Sequence, residues 1–369
     1  MQPLKSTDPA EVGPYRLLGR LGSGGMGVVY LGKSRTADLF AIKMITQGLA
    51  GDVEFRTRFA AEVDTLRTVS GTRVARLERA DLDADPPWLA VEFVAGRSLQ
   101  TQVEVNGPLS PRAGAMLGAL LVEGLRSVHA AGLVHRDLKP ANIMLGPYGP
   151  MVIDFGLAVL RERDHHLTGT GLPVGTLAYM SPEQARGERD LSTATDVYAL
   201  GATLVYALTG HTVFAQGNAI ALLKRIDDPD DLPDTSGVPA DLAALIDGML
   251  GYEPSTRPTL DTVFDRLIAV ATAGGVRTEE VRADLARQTF VNDPLDLPDE
   301  ALQPEAEDSD TASVEDDPTR LVSLPSRPEP EPAALAPADE PAPRPQVPAA
   351  DVGWLAEEMR TAYARGAAL

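Results

Sequence analysis

Eight consecutive residues constrain this chain more than any other stretch: His135-Arg136-Asp137-Leu138-Lys139-Pro140-Ala141-Asn142. They put a carboxylate, a lysine and an amide side by side. The octet follows a helix predicted to start at Ser110-Pro111 and to close at Gly132, and it precedes the short apolar run Ile143-Met144-Leu145. An aspartate in this setting can accept the proton of an incoming hydroxyl. A lysine just after it can offset charge on a moving phosphate, and an asparagine a little further on can hold a metal. Taken alone, an Asp shortly before an Asn in a loop is more often turn chemistry. The rest of the chain decides between the two.

Upstream, Tyr15 to Leu21 alternates as a strand and runs into Gly22-Ser23-Gly24-Gly25-Met26-Gly27, followed by Val28-Val29-Tyr30-Leu31. Glycines at this spacing also serve dinucleotide folds, where the last glycine opens a helix. Here β-branched and aromatic residues come next, which predicts strand, glycine turn, strand, either as a plain hairpin or with backbone amides folded over phosphates. Phe40-Ala41-Ile42-Lys43 is an apolar strand carrying one lysine. A helical run from Glu54 to Ser70 sets Glu62 among Phe55, Phe59, Val63 and Leu66, so its carboxylate can face inward. Trp88 to Gly96 is an apolar strand leaving into a glycine turn. After the octet, Met151-Val152-Ile153 reads as a strand ending in Asp154-Phe155-Gly156. Asn142 and Asp154 offer hard oxygen ligands of the kind Mg²⁺ takes, although an Asp beside a Gly is commonly just a turn. The polar segment from Asp154 to Glu183 has no periodicity, and a loop that long is functional or disordered. Asp196 heads an apolar helix. Helices are also expected over 259–272 and from Thr278 to Arg287.

The order of these features, from glycine turn through Lys43, Glu62, Asp137, Lys139, Asn142, Asp154 and Asp196 to Arg257, resembles the eukaryotic-like protein serine/threonine kinases, bacterial members included, over roughly residues 15 to 272. The resemblance implies an α+β, bilobal fold. It would have an N-terminal extension (1–14), a small antiparallel β-sheet lobe with one helix (15–95), a larger mostly helical lobe (96–272) and a helical extension (273–290). The implied activity is transfer of the ATP γ-phosphate to Ser/Thr hydroxyls of proteins. Asp137 would orient the hydroxyl and take its proton, Lys139 would offset charge on the γ-phosphate, and Lys43 fixed by Glu62 would hold the nucleotide. Asn142 and Asp154 would carry Mg²⁺, with Mn²⁺ as a substitute. Leu21, Gly22, Ser23, Gly24, Gly25, Met26, Gly27, Val29, Ala41, Val91 and Met144 would line the nucleotide, with the main chain of Glu92 and Val94 at the adenine. Thr168 and Thr170 would be autophosphorylated, in a transient homodimer, and would then pair with Arg136. Thr176 would sit in the substrate-facing loop, Asp196 would anchor the catalytic loop, and Glu183 with Arg257 would form a buried structural pair. Lys139-Pro140 together with Thr176 resembles serine/threonine rather than tyrosine enzymes. Ser181 departs from the more usual Ala before Pro182-Glu183, and the run from Thr72 to Pro87 matches no motif.

Composition narrows what remains. With no cysteine, disulfide frameworks and thiolate metal sites are excluded. A formal charge of -20 argues against non-specific nucleic-acid binding. Residues 291–350 hold fifteen Asp or Glu against three Arg, so the acidity belongs mainly to that segment, whose thirteen prolines mark it as a disordered linker. Trp354, Leu355, Met359 and Tyr363 predict a short amphipathic helix over 351–369. In the linker, Thr311 and Thr319 are candidate phosphosites for a phosphothreonine-reading partner. Met1 to Gly13 has no secretory core, Gln2 excludes N-myristoylation, and Val197 to Leu208 is too short to span a bilayer, so a cytoplasmic protein without a membrane span is expected. Two alternatives are weighed. A small-molecule, antibiotic-type phosphotransferase would share Asp137 and Asn142 but normally lacks Arg136, Lys139 and the 175–183 segment together. A pseudokinase scaffold would lack a catalytic position, and none is missing.

Overall fold

Strand-forming residues and glycine turns build the first layer. The computed structural model describes residues 1–290 except 25, 26, 47, 49–52, 155–176 and 216, without the side chains of Val53, Glu54, Phe55, Arg58 and Glu62. The expectations for Gly25, Met26, Thr168, Thr170 and Thr176, for the side chain of Glu62, and for everything beyond residue 290 therefore lie outside the described residues. Strands β1 (Glu11–Val12), β2 (Tyr15–Gly24), β3 (Gly27–Lys33), β4 (Leu39–Ile45), β5 (Leu77–Asp81) and β6 (Trp88–Glu92) form one sheet in the order β1-β2-β3-β4-β6-β5, every pairing antiparallel. Period-two alternation sorts its side chains. Tyr15, Tyr30, Ile42, Trp88 and Ala90 pack together on one face. On the other, Ile45 and Leu89 pack against Phe59, Val63 and Leu66 of helix α1 (Val53–Leu66). The helix stops four residues before Ser70, because Thr68 and Val69 turn in tight steps onto Thr65 and Leu66 where a β-branched pair meets Ser-Gly. Residues expected as an N-terminal extension join this sheet, through β1 and through Gln2 bridging to Arg20.

The second layer is helical. It contains β7 (Arg97–Ser98), α2 (Leu99–Asn106), α3 (Pro111–Ala130), β8 (Ile143–Gly146), β9 (Gly149–Val152), α4 (Pro182–Ala185), α5 (Ala194–Thr209), α6 (Ala219–Ile226), α7 (Ala240–Met249), α8 (Leu260–Ala271) and α9 (Thr278–Thr289). Helix α3 begins as its sequence dictates: Ser110 accepts the Ala113 N–H, Pro111 needs no donor, and Gly132 at φ 78° comes just after its end. Its Leu117, Leu121 and Leu125 are fully buried, each contributing about 1.5–3 kcal/mol. A Cβ on Gly114 would stand 2.5 Å from Leu208, so the glycine lets α5 approach α3 closely. Helix α5 is apolar nearly all round and buried from Thr195 to Leu208, as a central helix must be. No described helix is long and apolar enough to cross a membrane.

The result is the two-lobed α+β arrangement that the motif order implied. A short splice joins the lobes. Val152 donates to the Arg73 carbonyl at 2.8 Å and accepts from the Ala75 N–H at 2.9 Å, which ties the segment after α1 to β9, two residues before Asp154.

Candidate active site

Between α3 and β8 the chain has to turn back through a polar loop, and a single buried carboxylate holds that loop. Asp196, fully buried in the first turn of α5, accepts the main-chain N–H of His135 at 2.8 Å and of Arg136 at 2.9 Å. His129, in the last turn of α3, hydrogen-bonds the same carboxylate through Nε2 at 2.6 Å. Arg136 needs this support, since its φ of 65° is left-handed and costs a side-chain-bearing residue about 1–2 kcal/mol. Gln184 Nε2 holds the other side of that residue, donating to its carbonyl at 2.9 Å. Burial pushes the His135 imidazole down, which keeps it neutral, and its Nδ1 accepts the Asp137 N–H at 3.2 Å.

So fixed, the loop presents its functional groups together. Lys139 Nζ donates to both oxygens of Asp137 at 2.8 Å. Asn142 Nδ2 donates to the Asp137 carbonyl at 2.8 Å and to its carboxylate at 3.1 Å, which leaves the amide oxygen as the atom available to a cation. The Asn142 carbonyl then accepts the Ile153 N–H at 2.9 Å, and this sets the position of Asp154 one residue on.

Register explains which side chains face these groups from the small lobe. Val29 pairs with Lys43, Lys43 with Leu89 and Ala41 with Val91, so all of these share one face of the sheet. Lys43 Nζ donates to Asp154 Oδ1 at 2.9 Å across the cleft. Burial raises the Asp154 carboxyl, but the charge and hydrogen bond of Lys43, then the charge of Lys139, outweigh it and hold the group below the usual carboxylate range. Leu21, Val29, Ala41, Val91 and Met144 are only partly buried, while their strand neighbours Tyr30, Leu31, Ile42, Ile143 and Leu145 are fully enclosed. This leaves apolar surface open to a flat ligand. At the hairpin end, Gly24 faces Gly27, and a Cβ on Gly27 would stand 1.8 Å from the Met44 carbonyl. A Cβ on Gly22 or Gly24 would meet nothing within 4 Å, so bare backbone borders open space there. The Glu92 N–H already donates to the Arg76 carbonyl at 2.8 Å, and Val94 is buried just beyond.

Arg257 and Glu183 are in direct contact, joined by two 2.7 Å hydrogen bonds, with Thr195 Oγ1 donating to Glu183 at 2.9 Å. His129 and Gln184 escaped the sequence reading. The Ser181–Gln184 spacing of a capping box was legible, and that box is present. Among the described residues, no cluster of three His, Asp or Glu could hold a metal by itself. A Mg²⁺ that keeps water and phosphate ligands needs fewer, and the free amide oxygen of Asn142 with the ionised Asp154 is a suitable donor pair.

A family model described as "Protein kinase domain" matches residues 15–267. The chain is 43% identical over 268 residues to the probable serine/threonine-protein kinase PkwA of Thermomonospora curvata, covering 72% of this chain and 35% of that one. It is 44% identical over 255 residues to serine/threonine-protein kinase AfsK of Streptomyces coelicolor, covering 69% and 32%. This chain thus spans about a third of the length of these relatives. A crystal structure of Rad53 1-466 in complex with AMP-PNP is similar with a TM-score of 0.57 at 25% identity, covering 69% of this chain and 64% of that one.

Proposed function

Because this chain belongs to the protein kinase family, we propose that it is an ATP-dependent serine/threonine protein kinase, acting on hydroxyls of proteins and on its own loop between Asp154 and Glu183. One observation carries the reading: Lys139 and Asn142 are hydrogen-bonded to Asp137 on one loop, the Asn142 carbonyl holds the Ile153 N–H just before Asp154, and Asp154 is bonded to Lys43 of the opposite lobe. The relatives are serine/threonine kinases by name, and the similar Rad53 structure holds AMP-PNP, which supports ATP as the donor here.

In this reading the Asp137 carboxylate orients the substrate hydroxyl and accepts its proton, and Lys139 offsets charge on the γ-phosphate. Lys43 reaches the α- and β-phosphates, with Glu62 as its expected partner. The partly exposed apolar face takes the adenine, and the glycine turn from Gly22 to Gly27 covers the phosphates. Asn142 and Asp154 would hold Mg²⁺, or Mn²⁺ in its place, which when bound neutralises charge on the phosphate oxygens. The protein side of catalysis is thus positioning and electrostatics rather than a covalent intermediate. Thr168 and Thr170 are the proposed autophosphorylation sites, reached in a transient homodimer and read by Arg136. Thr311 and Thr319 are proposed to be read by a phosphothreonine-binding partner. We place the protein in the cytoplasm, where ATP is supplied, and assign it no nucleic-acid partner.

The reading is tested by incubating the purified chain with γ-labelled Mg-ATP and a general protein substrate, then carrying out phosphoamino-acid analysis. Phosphoserine and phosphothreonine are expected. Label found only on a small molecule, or only on tyrosine, would overturn it.

A further inference from the structure

The family match begins at residue 15, yet a carboxylate that accepts four hydrogen bonds in the small lobe, that of Asp8, lies before it. The Asp8 side chain is 3% exposed. A charge that buried persists only if its oxygens are satisfied. They are: Asp8 accepts the Lys5 main-chain N–H at 2.7 Å, Arg20 Nε at 2.6 Å, a second bond from Arg20 Nη2, and the Tyr30 hydroxyl at 2.9 Å. Arg20 holds its carboxyl far below the usual carboxylate range.

Where these donors stand matters more than their number. Arg20 is on β2, Tyr30 is on β3, and the two are direct cross-strand partners. One carboxylate therefore clips both strands of the hairpin that ends in the glycine turn. The Arg20 guanidinium also lies over the Tyr30 ring, 5.7 Å from its centroid. The main chain repeats the attachment, since Arg20 N donates to Gln2 O at 2.8 Å and Gln2 N donates to Arg20 O at 3.0 Å. Gly19 lets this segment lie close, because a Cβ there would stand 2.9 Å from the Met1 sulfur and 3.0 Å from the Gln2 carbonyl. Residues 2–12 thus cover the outer edge of β2.

Immediately past the clip the register changes. Arg20 faces Tyr30, but Gly22 faces Val29, so the chain bulges at Leu21, and a bulge redirects the strand beyond it. On the near side β2 is paired both with β3 and with residues of the N-terminal segment. On the far side are Gly22 and Gly24, with open space around them.

We propose that Asp8 is a positioning residue for nucleotide binding, fixing the base of the β2–β3 hairpin so that the glycine turn is aimed before the nucleotide arrives. The inference rests on the reading of that turn as the phosphate cover. Loosening the base leaves every atom of the turn intact but makes binding order a more mobile hairpin, so affinity falls while the chemistry of bound nucleotide is kept.

The test uses the full chain and measures Mg-ADP affinity by calorimetry, the KM for ATP and the kcat normalised to binding-competent sites. Asp8→Ala is expected to raise the Kd and KM on the order of tenfold, with kcat within about twofold of the parent. Tyr30→Phe, which removes one arm of the clip, should raise KM less, and Asp8→Ala with Arg20→Ala should cost no more than Asp8→Ala alone. Lys5→Ala, whose contact is through the main chain, should leave KM at the parent value. If Asp8→Ala fails to fold, Asp8→Asn and Tyr30→Phe carry the same comparison. A lowered melting temperature with unchanged Kd and KM would make the clip merely structural and overturn the inference alone. A parent that binds no nucleotide would overturn the reading of the site and the inference with it.

Discussion

Lys43 Nζ lies 2.9 Å from Asp154 Oδ1, joining the third-from-edge strand of the small lobe to the segment after β9 with side chains 12% and 39% exposed. The pair keeps Asp154 ionised through the neutral range, the state a cation ligand requires. Lys43→Met should therefore lower kcat/KM for ATP by about 10²-fold or more, from loss of the charge proposed to meet the phosphates, while the fold is kept. Steady-state kinetics beside a thermal melt checks this. A parental kcat/KM in the variant would remove Lys43 from the account.

The Glu183–Arg257 pair is architecture. Both side chains are buried, and Arg257 also donates to the carbonyls of Ala194, Gly251 and Tyr252. Removing either partner leaves a buried charge unpaired and should destabilise the chain by ~3–5 kcal/mol, read by denaturant unfolding. A dead Arg257→Ala variant would therefore say nothing about chemistry.

The same pair makes a pH prediction. Burial pushes Glu183 up, but the hydrogen bonds and charge of Arg257 outweigh it and hold the carboxyl below its ordinary value of 4.5. A carboxyl lowered on folding contributes fully above its unfolded pKa and loses that contribution as pH falls through the folded one. Stability of the parent should therefore decline in acid below 4.5. Glu183→Gln should be less stable at neutral pH and should lack this part of the decline. Parallel acid limbs for the two proteins would contradict the assignment.

Arg136 is held by its main chain, whereas its Nε is buried without a hydrogen-bond partner among the described residues. An unsatisfied buried donor costs about 1–3 kcal/mol, a penalty that a phosphate oxygen could relieve. After preincubation with Mg-ATP, a Thr168→Ala/Thr170→Ala variant should phosphorylate an added substrate on the order of tenfold more slowly than the parent. Arg136→Ala should abolish the difference between phosphatase-treated and untreated enzyme. Equal rates for the double variant and the parent would end this part of the account.

Much of the site was legible because its parts are local. Asp137, Lys139 and Asn142 lie on one loop, and their mutual bonds arise from spacing within it. The alternation of Phe40-Ala41-Ile42-Lys43 likewise fixed which side chains share a face once the strands paired. The hidden part depends on contacts distant in sequence. His129 reaches Asp196 across 67 positions and Gln184 reaches Arg136 across 48. Neither a helix-end histidine nor a capping glutamine announces a second role. Lys43 was expected beside Glu62, and its described partner is Asp154, 111 positions away. Asp8 lies in a stretch that reads as an extension, since nothing near it in sequence shows that Arg20 and Tyr30 converge on it.

In the proposed reaction Asp137 takes the proton of a protein hydroxyl during phosphoryl transfer. The most direct measurement compares γ-phosphate incorporation into a protein substrate by the parent and by Asp137→Asn, at saturating Mg-ATP and with nucleotide affinity and melting temperature recorded for both. The variant is expected to be slower by about 10²- to 10⁴-fold, with affinity and stability close to the parent. Transfer at the parental rate in Asp137→Asn would contradict it.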